Sequence, residues 1–379
     1  MNPADLMRLR TVERTCELER MWQLLDPFRA DLTQEQYDGL QRQYSRYHDR
    51  LVRREQDGTA AGVDAFERDL VSLVVGRLLE AESGRRGATP AARRLLTQLA
   101  GRAGPVAVPL TGLEFEPRCE TWSPLTSLVR LRVSGSGFWE LPVLAHEFAH
   151  CLITDAPAVD RAGAGGLREV RDEIARDLRS DGDLWWSDGA ETDERRGRRA
   201  EELVADVFAT YVLGFAYPAC CMALRIASDG LDTRHEIHPS WRHRVWAMLQ
   251  TMGQVSAQER TECTRWNDFP AEAEKQAREL WRTLSGDDGH TMSQSERARL
   301  GLWTHRVTEV LNGFGTLRYA GSRRVAVLAG ELETGRTRTA PPGRDTVADA
   351  LNAAWQWRLS RHRTPDEVRD AVTYCLSRC

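Results

Sequence analysis

Lysine is almost absent from this chain. Lys275 is the only one among 52 basic residues, so 51 (52 − 1) are arginine. Codon usage in a GC-rich bacterial genome accounts for that bias more simply than a guanidinium recognition surface does. Charge of one sign is missing too: the formal net charge is −4 over 379 residues, which gives no global attraction to nucleic acid or to an anionic membrane. Eight cysteines are present, but no two stand as C-x-x-C, which argues against a thiolate zinc site. Cys151, Cys220 and Cys221 lie in apolar helical stretches and read as small buried hydrophobes. Cys375 and Cys379 could pair or bind metal, although a reduced terminal helix is the simpler expectation. The first residues lack the apolar core of a secretory leader. The most apolar run, 203–227, is interrupted by Asp206, Gly214 and Pro218, so no membrane span is expected. A cytoplasmic, thiol-reduced location is the consistent expectation.

What remains is an ordinary globular composition, 41% hydrophobic and 28% charged, long enough for one large domain or two to three smaller ones. Chemistry enters at His146-Glu147-Phe148-Ala149-His150. In H-E-x-x-H the two histidines stand about 40° apart on a helix of ~3.6 residues per turn. Both imidazoles can reach one metal ion, with Glu147 beside them as the general base toward a water. Pro142 just upstream suits the first turn of such a helix, where its missing N–H costs nothing.

A catalytic zinc takes three protein ligands, and its histidines need a carboxylate behind them to fix the tautomer. Arg199 to Tyr211 supplies candidates. Leu203, Val204, Val207, Phe208 and Tyr211 form a helical stripe, with Glu202 and Asp206 one turn apart on a neighbouring face. Glu202 is the expected third ligand and Asp206 the supporting carboxylate. Glu201 competes for the ligand role. It lies about 100° around the helix, so it is expected to behave as a surface residue.

These motifs resemble the gluzincin metallopeptidases, in which H-E-x-x-H is followed by E-x-x-x-D on a second helix. Glu201 to Ala209 is similar to the form found in CAAX-prenyl-protease-like bacterial metallopeptidases, and His238-Pro239-Ser240-Trp241-Arg242-His243-Arg244 is similar to the H-P element that follows there. The resemblance covers roughly residues 125–250. It implies His146, His150 and Glu202 as zinc ligands, Glu147 as base, Asp206 as the residue supporting a ligand, and His238 and Arg244 as pocket or support residues. The metzincin pattern does not apply, because its third histidine would fall at Ala156. His238 is also the candidate electrophile for a developing oxyanion, with Tyr211 and Tyr217 behind it.

Residues 105–110, 112–117 and 127–134 read as short strands, the last with Val129, Leu131 and Val133 alternating on one face. In zincin folds the strand before the H-E-x-x-H helix pairs with extended substrate, so the resemblance makes Val129, Leu131 and Val133 candidate substrate-binding residues. An ordinary hairpin strand is the alternative. The insertion 156–198 carries a glycine-rich stretch at 162–166, a helix at 167–178 and a loop with Trp185 and Trp186. A lid, or a loop anchored by its tryptophans, is the expectation there. A short strand is expected at Val325–Leu328, a Pro/Gly/Arg linker at 337–344 and helices elsewhere.

The expected class is therefore α+β: a zincin-like core with a small mixed sheet at 103–254, between helical regions at 1–102 and 255–379. The expected activity is zinc-dependent hydrolysis of a protein or peptide substrate. The alternative is a zincin-fold binding or regulatory module that recognises a protein partner through its terminal helices. Glu147 speaks against that alternative, because metal binding alone does not need it.

Overall fold

The computed structural model describes residues 15–16, 18–53, 66–75, 88–104, 109–114, 122–123, 128–132, 137–154, 165–180, 192–226, 231–232, 238–262, 269–286, 292–319, 321, 323–335 and 346–378. The chain forms two compact units, one of Met1–Arg93 with Pro109–Gly135, the other of Arg94–Val108 with Ser136–Cys379.

The first unit is built on amphipathic helices. A 3₁₀ turn, Asp26–Asp31, places Pro27 at its start, where a missing N–H is harmless. Helix α1, Gln34–Arg53, follows. Leu40, Tyr47 and Leu51 of α1 close a core with Leu18, Leu25 and, from the helical residues 66–75, Phe66, Leu70, Leu73 and Val74. Tyr47 and Phe66 stack at 5.6 Å between centroids. Helix α2, Ala88–Ala103, comes next in the chain.

The second unit is organised around one helix. Elements α3, Gly137–Glu140, and α4, Val143–Thr154, carry H-E-x-x-H. They are followed by α5, Gly165–Ser180, and α6, Asp193–Leu213. Thr192 caps α6, its hydroxyl accepting from the Arg195 N–H at 3.3 Å, and Asp193 and Glu194 occupy the first turn, where acids complement the helix dipole. The helix ends at Gly214, φ 61°. A Cβ there would lie 2.8 Å from Tyr319 Cδ1, so glycine is required twice over. From Leu203 to Leu213 every residue of α6 is buried. Helices α4 and α5 pack on it, as do α8, Trp241–Glu262, and α10, Gln294–Gly313. Phe148 of α4 meets Phe208 of α6 at 6.1 Å, both fully buried. After Gly214 the chain bends into α7, Ala216–Cys220, and a π turn, Cys221–Arg225. Helix α9, Phe269–Ser285, lies against α8. The series closes with α11, Arg323–Thr334, α12, Val347–Ser360, and α13, Pro365–Arg378.

The α+β expectation is corrected: the fold is all-helical. Helices make up the great majority of the described residues, and the cores of both units are helical. Among the described residues the 110–132 segment supplies three short strands joined by two backbone pairings. These are β1, Leu110–Glu114, parallel to β3, Leu128–Arg132, and β2, Trp122–Ser123, antiparallel to β3. Strands of five, two and five residues do not amount to a structural layer. Pro109, just before β1, has no N–H with which to extend the ladder. Val325–Leu328 is likewise not a strand but part of α11. Val325 and Leu328 are buried while Val327 is 53% exposed, a period of three rather than two. A short apolar run does not distinguish the two by periodicity alone. The helical stretch expected at 259–284 includes the end of α8, Glu262, and most of α9, from Phe269. The glycine-rich stretch at 162–164, Trp185, Trp186, the 337–344 linker, Cys119 and Cys263 lie outside the described residues.

Among the described residues no single helix is long and apolar enough to cross a membrane. The bent pair Asp193–Leu213 and Ala216–Arg225, at 118°, passes on length and composition together, but it forms the buried centre of the second unit.

Candidate metal centre

Helix α4 is apolar on almost every face and buried from Val143 to Ala149, so His146 and Glu147 are carried into the interior along with it. Helix α6 lies against α4, and Glu202 enters from that side. His146, His150 and Glu202 form a group whose ligand atoms all lie within 4.8 Å of one another and which could hold a metal ion. The two imidazoles meet edge to face at 4.8 Å, with their Nε2 atoms 3.1 Å apart. Glu202 Oε2 is 3.2 Å from His146 Nε2, and Oε1 is 3.4 Å from His150 Nε2.

Both Nδ1 atoms point the other way, and each meets a carboxylate. His146 Nδ1 is 3.1 Å from Asp206 Oδ1 and 2.9 Å from the Tyr217 hydroxyl oxygen. Tyr217 donates its own proton to Asp206 Oδ1 at 2.6 Å. His150 Nδ1 is 2.7 Å from Glu201 Oε1. A carboxylate only accepts, so each Nδ1 donates to its carboxylate, which leaves each Nε2, facing Glu202, as the nitrogen that can take up a proton or a metal ion. Two imidazole nitrogens and a carboxylate facing one another favour positive charge between them.

The titration behaviour says the same. Burial opposes charge on His146, but Glu202 and Asp206 outweigh it and hold its pKa above the ordinary histidine value. Burial is outweighed at His150 as well, by Glu201 and Glu202, and its pKa is held well above that value. Glu202, despite its burial, is pulled well below the usual carboxylate range by His146, His150 and His238. Asp206 is fully buried. Burial would raise it, but Arg244 brings it down to about 2. Arg244 grips Asp206 bidentately, Nε to Oδ2 at 2.7 Å and Nη2 to Oδ1 at 2.8 Å, and reaches Glu202 Oε2 at 3.5 Å. Its guanidinium lies over the Trp241 ring at 4.5 Å. Charge-assisted pairs of this kind fix orientation as well as charge.

Glu147 is 7% exposed and acts electrostatically on His150. His238 stands just before α8, with Nδ1 2.9 Å from Glu202 Oε2 and its side chain 36% exposed. Ser240, which precedes α8, receives the Arg244 N–H at 3.1 Å, and this first turn sets Arg244 against α6.

Three expectations change. Glu201 is not a surface residue but the partner of His150. Neighbouring positions on α6 reach the two sides of one imidazole because His150 lies between them. Tyr217 does not stand behind His238; burial and Asp206 push its hydroxyl's pKa far up, and it braces His146 from the back. Tyr211 points elsewhere and donates to Asn312 Oδ1 at 2.6 Å. Sequence reasoning missed Glu201 and the Tyr217 bridge. The doubled Glu201-Glu202 was the only available signal, since two histidines need two supporting acids. Val129 and Leu131 fall on β3, in the other unit, and Val133 lies outside the described residues.

No protein-family model, curated protein or solved structure matches this chain.

Proposed function

We propose that the chain is a zinc-dependent peptidase. The observation that supports this most is the convergence of the two Nε2 atoms and the Glu202 carboxylate on one point, with Glu147 buried beside them. Two imidazole nitrogens and one carboxylate are a donor set suited to zinc that leaves room for a fourth ligand. His146, His150 and Glu202 would hold the ion. Zinc, when bound, supplies Lewis-acid polarisation of a carbonyl and makes water more acidic.

The chain's own residues do the rest. Asp206 and Glu201 keep both Nδ1 atoms protonated, so that both Nε2 atoms stay available as ligands. Arg244 neutralises the buried Asp206. The Glu147 carboxylate accepts a proton from the attacking water and delivers it to the leaving nitrogen. His238, with Nδ1 on Glu202, can present its outer nitrogen to a developing oxyanion.

The test is to assay metal content and cleavage of a proteome-derived peptide library, with and without chelator, for wild type and Glu147→Gln. The variant is expected to keep its metal and fold while losing hydrolysis by several orders of magnitude, on the scale of the ~10²–10⁴ that positioned proton transfer contributes. Equal turnover in the variant would overturn the role of Glu147. Metal binding with no cleavage by wild type would favour a binding module instead.

A further inference from the structure

On the other side of α8 the second unit has a half-open cavity of about 360 Å³, lined by Arg242, Trp246, Leu249, Arg278, Trp281, Arg282, Met292 and Arg297. Among the described residues the lining carries four guanidiniums and no carboxylate. Arg242 and Arg244 are two residues apart, so they point about 200° apart around α8. Arg244 faces Asp206 on α6, whereas Arg242 lies 6.0 Å over the Trp281 ring on α9. The cavity therefore belongs to the opposite face of α8 from the metal centre and is no extension of it.

Its chemistry divides into two parts. Arg242, buried in its side chain, is held in place by Asp232, Nε to Oδ1 at 2.7 Å and Nη2 to Oδ2 at 2.9 Å. Arg278 is likewise braced by Glu274 at 2.9–3.0 Å. These flanking acids set the orientation of two of the arginines but do not line the cavity. Trp246, Trp281, Leu249 and Met292 supply apolar walls. Trp281 is 6% exposed and Met292 3%, so those walls are anchored in the core. A concave space of this size, lined about equally by apolar walls and convergent guanidiniums, has the form of a small-molecule site. Planar guanidiniums match the oxygens of a carboxylate or a phosphate ester.

The geometry points to this cavity as a binding site for a small organic oxyanion, with its charged head on the arginines and an apolar or aromatic body against Trp246 and Trp281. The site stands independently of the peptidase reading, since no residue is shared with the metal centre.

Isothermal titration of the full chain with benzoate, phenyl phosphate and inorganic phosphate tests it. One molar equivalent of benzoate or phenyl phosphate should bind, and the tighter of the two tells a carboxylate from a phosphate ester. R282Q/R297Q should weaken binding by roughly tenfold or more, the loss expected when charge-assisted hydrogen bonds are removed. R168Q, at an exposed arginine of α5, should leave it unchanged. Thermal melts of both variants confirm that they are folded. The inference fails if neither aromatic anion binds or if R282Q/R297Q binds like wild type. It fails as well if inorganic phosphate binds as tightly as phenyl phosphate, which would mean surface charge without the apolar walls.

Discussion

Glu201 and Glu202 are adjacent in the chain and about 100° apart on α6, yet both reach the same imidazole, one at each nitrogen. Their loss should therefore differ in kind. Glu202→Ala removes a donor from the metal-binding group and should abolish tight zinc binding. Glu201→Ala only releases the Nδ1 proton of His150 from its acceptor and should weaken affinity by about 10–100-fold. Zinc titrations into the two variants check this, and a Glu201→Ala protein with wild-type affinity would count against the supporting role. Asp206 makes a pH prediction. Its folded-state pKa is lowered from 3.8 to about 2, so between those values the unfolded chain binds a proton that the folded chain does not. Stability then rises with pH across that window. The contribution is complete above about 4 and is lost as pH falls toward about 2. Urea titrations in this range should show a steeper acid loss for wild type than for Asp206→Asn, and parallel curves would contradict it.

At the scale of elements, the sharp bend between α6 and α7 sets the position of Tyr217, and one side chain from α12 secures it. Fully buried Asn352 donates to the Leu213 carbonyl at 2.7 Å and to Ala348 O at 2.8 Å, and accepts from the Ala216 N–H at 3.0 Å. Asn352→Ala would strand the carbonyl ending α6 and the amide starting α7. A cost of about 2–4 kcal/mol follows from two unsatisfied buried groups, measurable by denaturant unfolding together with weaker metal binding as Tyr217 loosens. A stability within about 0.5 kcal/mol of wild type would mean that water replaces the amide. Helix periodicity was legible at α6, where Leu203, Val204, Val207, Phe208 and Tyr211 recur at three and four positions. It misled at Val325–Leu328, because four apolar residues fit either period until their neighbours are in place.

For the molecule as a whole, metal binding should act as added stability. A ligand bound only by the folded state stabilises it by about 2.7 kcal/mol at a hundred times its dissociation constant. Zinc should thus raise the melting temperature of wild type and of Glu147→Gln, and chelator should reverse the effect. His146→Ala should not respond. A zinc-dependent rise that survives His146→Ala would place the ion elsewhere. The all-helical fold makes the coupling direct, since α4 and α6 supply both a large part of the second unit's core and the three residues His146, His150 and Glu202.

Local spacing alone determined that His146 and His150 share a helix face, that Glu147 flanks them, and that Glu202 and Asp206 stand one turn apart. Each is a property of a single helix, and 3.6 residues per turn suffices to derive it. Tertiary structure alone decided which nitrogen of each histidine faces the centre and that Glu201 serves His150. It also decided that Tyr217 ties His146 to Asp206 and that the fold is helical rather than α+β. Those outcomes depend on how helices distant in the chain pack together. Side-chain periodicity records which face of a helix is buried, but not which partner covers it.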